Sequence, residues 1–279
     1  MSSVQAFFLG LVQGLTEFLP VSSSGHLVVV PYLFGWERLE HQVAFDVLLH
    51  VGTLVSLGLY FRREWGTLIR AWGRSWRHLL SRAAFAQQWR ESAEARLVWL
   101  VLLTLLPLGL LAAPLRNWVL SLSRNVAWVA SCLLVTGLLV WGGERKGKGQ
   151  RTWRQITVAD ALLIGLAQCL GVLHGISRSG MTLAAGLWRG LDREAAPRFA
   201  FLMSVPAIAA AAVAEVPELA QTNSLGWLPC IVGFIVAAAA GYFALRVVFR
   251  FVQAGKLSYF AYYCWALGLI TLLVLGLRG

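Results

Sequence analysis

Charge is scarce in this chain. Asp, Glu, Lys and Arg make up 13% of its 279 residues, against 58% that are hydrophobic. A soluble domain carries about a quarter charged residues, so a water-soluble fold is excluded and a polytopic helical membrane protein is expected. Regular alternation of polar and apolar residues is missing too. The apolar residues come in long blocks, which excludes an outer-membrane barrel. Acidic residues are fewer than basic ones, 13 against 24, for a net charge of +11. The basic surplus falls in stretches between apolar blocks and forms no basic face, so no nucleic-acid partner is expected. Cysteine is limited to Cys132, Cys169, Cys230 and Cys264, scattered within apolar segments. They have no ligand spacing and read as space-filling residues. The first apolar run leads straight into a polar stretch, so no cleavable signal peptide is expected.

What is present is a set of six apolar blocks long enough to cross a bilayer, at 45–61, 97–113, 125–141, 199–215, 227–249 and 259–277. Two further apolar regions, 4–35 and 156–190, are each interrupted near the middle by a polar, Gly-containing turn. Charge orients the set. Segment 62–96 carries eight arginines against three glutamates, and segment 142–155, "GGERKGKGQRTWRQ", is basic as well. Both read as cytoplasmic loops. The connection 215–226 has Glu215 and Glu218 and no Lys or Arg, which suits the outer side. From these anchors region 4–35 enters from outside and region 156–190 from the cytoplasm, each returning to its own side.

The two interrupted regions resemble each other. Laying "LGLVQGLTEFLPVSSSGH" from Leu9 over "IGLAQCLGVLHGISRSGM" from Ile164 pairs Gly10 with Gly165, Gln13 with Gln168, Ser22 with Ser177, Ser24 with Ser179 and Gly25 with Gly180. The expected architecture is therefore all-α: six transmembrane helices plus two re-entrant broken-helix hairpins, in an inverted-topology repeat. Residues 1–279 form one membrane domain, with 1–141 as the first repeat and 156–279 as the second. Such breaks place unwound backbone and half-helix ends against a cavity.

The breaks carry the chemistry. Gln13 and Glu17 are four apart and share a helix face, which Pro20 then ends. Glu17 lies near a helix C-terminus in an apolar setting, so its carboxylate needs a neighbouring cation or trades a proton. "SSSGH" supplies caps and free amides at a helix start, an anion site. Ser23 and His26 are three apart and meet if the segment turns helical, with His26 as acid or base toward a serine hydroxyl. The plainer alternative is capping by the serines and a satisfied polar His26. In "HGISRSGMT", from His174 to Thr182, Arg178 needs an anion, and its planar fork suits phosphate. Ser177, Ser179 and Thr182 add donors, though an arginine merely paired with Glu17 is an alternative. Together these groups make a phosphoryl-transfer inventory. Asp46 reads as a helix cap, His50 as a buried polar contact and Arg198 as a cytoplasmic anchor.

"QGLTEFLPVSSSGHL" and "GISRSGMT" resemble the two signatures of the undecaprenyl-diphosphatase family, also called bacitracin-resistance proteins. The first signature is Glu or Gln, three residues, then Glu, leading into Pro-x-Ser-Ser-x-x-His. The second is Pro-Gly-x-Ser-Arg-Ser with a Thr shortly after. The resemblance implies an integral inner-membrane enzyme that acts on the outer side and removes the terminal phosphate of undecaprenyl diphosphate. The product is the carrier lipid of cell-wall synthesis. It also implies a divalent cation, Mg²⁺ or Ca²⁺, and a homodimer. Residue by residue, it makes Glu17 the acidic residue and metal ligand, beside Gln13. Ser23 becomes the nucleophile or its helper and His26 the acid/base. Ser22, Ser24, Ser177, Arg178, Ser179 and Thr182 become the diphosphate cradle, with His174 nearby. Two positions depart from the pattern: Gln13 is the neutral variant, and His174 stands where the family has proline. A second membrane phosphatase superfamily requires a His and an Asp after its Ser-Arg pair. Those positions hold Ala184 and Trp188, so it is rejected. A polyprenyl-phosphate transporter or flippase is the alternative, because broken helices in inverted repeats also serve alternating access.

Overall fold

A computed structural model describes residues 2–36, 42–78, 80–111, 114–214 and 226–278. Among these residues there is no β-strand, only a single bridge between Arg151 and Leu191. The first interrupted region is two helices, α1 (Ser3–Phe18) and α2 (Ser23–Phe34). The second is α10 (Val158–Leu170) and α11 (Arg178–Trp188). Between them run α3 (Gln42–Tyr60), α4 (Arg62–His78), α5 (Arg82–Glu91), α6 (Ala93–Leu103), α7 (Leu105–Leu111), α8 (Arg116–Leu122) and α9 (Val126–Lys146). The chain continues with α12 (Ala195–Ala214), α13 (Trp227–Gln253) and α14 (Ser258–Arg278).

Among the described residues five helices are long and apolar enough to cross a membrane: Ala93–Leu111, Val126–Lys146, Ala195–Ala214, Trp227–Gln253 and Ser258–Arg278. The sixth expected span, 45–61, falls on α3, which bends by 86° into α4. The chain is thus multi-pass, with five candidate spans among the described residues, or six if the bent pair counts as one. Segment 62–96 differs from expectation. It is not a loop but holds α4, α5 and the start of α6. Its charge count hid a helical period: on α4, Leu68, Ala71 and Ser75 are buried while Arg70, Arg74 and Arg77 are exposed. The acidic connection 215–226 lies, apart from residue 226, outside the described residues.

Close backbone approach fixes the broken helices. A Cβ on Gly10 would lie 2.5 Å from the Gly233 carbonyl oxygen, and one on Gly14 would lie 2.6 Å from that of Ala237. Only glycine lets α1 seat on α13 at that depth. Gly165, the repeat mate of Gly10, abuts Thr104 at the junction of α6 and α7 in the same way, with a built Cβ 3.0 Å from its Cα. Polar ties close the ends. Glu144, at the end of α9, accepts from the amides of Leu257 and Ser258 at 3.0 and 2.6 Å. Asp160, fully buried near the start of α10, takes Arg151 at 2.5 Å and Arg189 at 2.7 Å. Burial pushes the Asp160 carboxyl up, but Arg151, the Thr157 amide and Arg189 outweigh it. The net direction is well below the usual carboxylate range.

Candidate active site

Both breaks are built to one local plan. Ser22 caps α2 by accepting the Gly25 amide at 3.2 Å, and Ser177 caps α11 by accepting the Gly180 amide at 3.0 Å. Ser22 and Ser24 hydroxyls lie 3.4 Å apart, and Ser177 and Ser179 hydroxyls 3.1 Å apart. The same serine-glycine pattern thus gives the same turn twice. The first break stores strain: Ser22 has φ of 71°, where L residues with side chains rarely sit. The second break turns at Gly175, φ 97°, where a Cβ would lie 2.3 Å from the Val129 carbonyl oxygen. Thr136 on α9 pins this turn, donating to the Gly175 carbonyl at 2.8 Å and accepting from the Ser177 amide at 3.0 Å.

The two breaks touch. Ser179 donates to the Leu19 carbonyl at 3.0 Å, and an Arg178 Nη2 donates to Glu17 Oε1. The other carboxylate oxygen of Glu17 accepts from Ser23 Oγ at 2.6 Å and Gln13 Nε2 at 2.9 Å. Glu17 is thus the hub on which the residues of both breaks converge. A cavity of about 900 Å³ opens beside it. Its polar wall includes Glu17, Ser22, Ser23, Ser24, His174, Ser177, Arg178 and Ser179, while leucines 27, 105 and 108 and alanines of α12 form an apolar side. Ser23 and Arg178, the first residues of α2 and α11, are both on this wall, so two positive helix ends face one space. A polar, cationic pocket continuous with an apolar wall suits an anionic head group on a lipid tail.

Three expected placements differ. Ser23 and His26 do not pair: Ser23 turns to Glu17, whereas His26 is buried with Nδ1 2.7 Å from the Ser22 carbonyl and Nε2 2.8 Å from the Tyr263 hydroxyl. His26 is not on the cavity wall. Both residues lie on α2, but the His26 ring has its partners in its own turn and on α14. Thr182 donates to the carbonyls of Arg178 and Ser179 and lies behind the wall, so it holds the first turn of α11. Gln13 is wholly buried and steadies Glu17 without reaching the cavity.

Two contributors were not assigned to the site: His50, read as a buried polar contact but partly exposed on the cavity wall, and Tyr263, not singled out at all. His50 comes from α3, 3.5 Å from Glu17, with its side chain 30% exposed on the cavity wall. Tyr263 comes from α14 to hold His26. Neither lies near a break in sequence.

No group of three or more His, Cys, Asp or Glu able to hold a metal occurs among the described residues. The oxygens at the hub suit a hard cation nonetheless. Glu17 faces the cavity, and Gln13 Oε1 beside it is buried without a hydrogen-bond partner. Mg²⁺ is often held by one or two carboxylates with substrate phosphates supplying the rest, and this donor set fits that arrangement.

Comparison with known proteins gives matches along almost the whole chain. The family model described as bacitracin resistance protein BacA matches residues 6–270. A curated undecaprenyl-diphosphatase of Carboxydothermus hydrogenoformans is 39% identical over 284 residues, covering 100% of this chain and 99% of that protein. One from Nocardioides is 39% identical over 272 residues, covering 97% and 96%. One from Methanosphaera stadtmanae is 36% identical over 272 residues, covering 97% of each.

Proposed function

The chain belongs to the bacitracin resistance protein BacA family, and from that premise we propose that it is an undecaprenyl-diphosphate phosphatase working through the Glu17 hub. The observation that carries the site assignment is the meeting of Ser23 and Arg178, from two separate breaks, on one carboxylate at the wall of a large cavity. The lipid diphosphate lies with its head at the two helix starts and its tail along the leucine and alanine wall. Arg178, which spends one amino group on Glu17, directs its remaining N–H donors to phosphate oxygens and stabilises charge on the transferring phosphoryl group. Ser177 donates to the same oxygens, while Ser179 ties the two breaks together through the Leu19 carbonyl. Glu17 takes the proton of the Ser23 hydroxyl as Ser23 Oγ attacks the terminal phosphorus, and the lipid monophosphate leaves. Water then cleaves the phosphoserine, returning the proton to Ser23 and releasing phosphate. His26 acts through Ser22 and Tyr263 as a positioning residue.

A divalent cation, Mg²⁺ or Ca²⁺, would be held by Glu17, which Gln13 steadies from behind. It would supply charge neutralisation for the diphosphate. The two breaks are read as re-entrant hairpins of an inverted repeat, 1–141 and 156–279. Supporting this are the matched Ser22 and Ser177 turns and the charge of segments 62–96 and 142–155, read as cytoplasmic. On that orientation the cavity opens to the periplasmic side of the plasma membrane. Homodimer formation is carried by the family resemblance alone. The transporter alternative rests only on the broken helices, whereas relatives of matching length are named as phosphatases. The test is cation-dependent phosphate release from undecaprenyl diphosphate by the purified chain in detergent. Lipid movement across vesicles without phosphate release would overturn the reading.

A further inference from the structure

The repeat pairs Gln13 with Gln168, but their surroundings differ. Four residues after Gln13 stands Glu17, which takes its amide N–H at 2.9 Å. Four residues after Gln168 stands Val172, which offers no side-chain acceptor. Gln168 is 0% exposed on the last turn of α10. Among the described residues neither its Nε2 nor its Oε1 has a hydrogen-bond partner. A buried amide with both ends unpaired is rare, because nothing replaces the water it gave up. Yet Gln168 is among the residues that line the large cavity, with Glu17 and Arg178. The geometry around it is tight. One turn on, a Cβ at Gly171 would lie 2.5 Å from the Arg178 Cα, so the end of α10 is packed against the start of α11. That packing holds Gln168 and Arg178 on the same wall.

We propose that Gln168 is a further substrate-positioning residue, whose side-chain amide is completed by the diphosphate head group. Nε2 donates to a phosphate oxygen, and Oε1 accepts from a water in the head group's shell. The inference rests on the phosphatase reading above and adds a residue of the second repeat beside Arg178. It also gives a reason for the asymmetry: the first glutamine is spent on orienting the carboxylate, while the second, lacking one, is left for the ligand.

The test uses the full chain in detergent with Gln168→Met, which keeps the length and removes both polar ends. Losing a hydrogen bond to a charged oxygen predicts a fall of about tenfold or more in kcat/KM, mainly as a raised KM. Inhibition by inorganic pyrophosphate weakens by a similar factor. Thermal stability holds or rises, since an unpaired buried amide has been replaced by an apolar group of similar shape. Gln168→Glu, which sets a carboxylate against the phosphates, falls further and serves if the Met variant cannot be purified. Wild-type KM and pyrophosphate inhibition in these variants would overturn the proposal. So would a marked drop in melting temperature in Gln168→Met, which would assign the amide to the fold. If the wild-type chain releases no phosphate, the phosphatase reading fails, and pyrophosphate-induced thermal stabilisation of wild type against Gln168→Met still decides the role of Gln168.

Discussion

Replacing Glu17 by Gln removes one charge from a place where Arg178, Ser23 and Gln13 all direct hydrogens at it. The new amide group cannot accept from all three, and its own hydrogens point at another donor. Breaking a fully buried ion pair from one side costs about 3–5 kcal/mol. Arg178 keeps 23% exposure toward the cavity, so we expect the lower part of that range or less, about 2–3 kcal/mol. For a chain of this size that corresponds to a fall in melting temperature of about 3–5 °C. Phosphate release falls about 10²–10⁴-fold, the usual contribution of a positioned base. The double variant Glu17→Gln with Arg178→Gln removes both charges. It should be more stable than the sum of the single losses predicts, by about 1–3 kcal/mol, while remaining inactive. Thermal melts and phosphate-release assays on the four proteins measure both effects. Additive stability losses, or a Glu17→Gln protein within tenfold of wild-type activity, would refute the hub.

Tyr263→Phe removes the hydroxyl on His26 Nε2 and should lower activity about tenfold, part of the loss expected of His26→Ala; wild-type activity in Tyr263→Phe would break that link. Asp160 has a folded-state pKa below its unfolded value, so its contribution to stability is present above about pH 4 and is lost as pH falls below that. Asp160→Asn should therefore melt lower than wild type at pH 7, with the gap narrowing below pH 4, and a gap that does not depend on pH would contradict the ion cluster. Gln13→Glu adds a second carboxylate beside Glu17 and should lower the Mg²⁺ or Ca²⁺ concentration for half-maximal phosphate release several-fold, whereas an unchanged requirement would place the cation elsewhere.

Much of the site could be read locally. Pro20 and the serine-glycine runs punctuate two apolar regions, and the structure breaks the helices there, at 19–22 and 171–177. The spacing of Gln13 and Glu17 gave their contact directly. Contacts that depend on distant elements could not be read this way. His50 reaches Glu17 from α3, and Tyr263 reaches His26 from α14, so no spacing rule applies. The Ser23–His26 pairing failed for the opposite reason. Sequence spacing allowed it, but the left-handed backbone at Ser22 and the pull of Glu17 sent the two side chains apart. Segment 62–96 was misread because charge was counted before periodicity, and the arginines of α4 are the solvated face of an amphipathic helix.

The most direct test of the central claim is the phosphate-release rate of Ser23→Ala, on protein shown by melting temperature to be folded as wild type. With the Ser23 hydroxyl donating to Glu17 on the cavity wall, the account predicts a loss of about 10³-fold or more. Activity within tenfold of wild type would move the attack to water and remove Ser23 from the reaction.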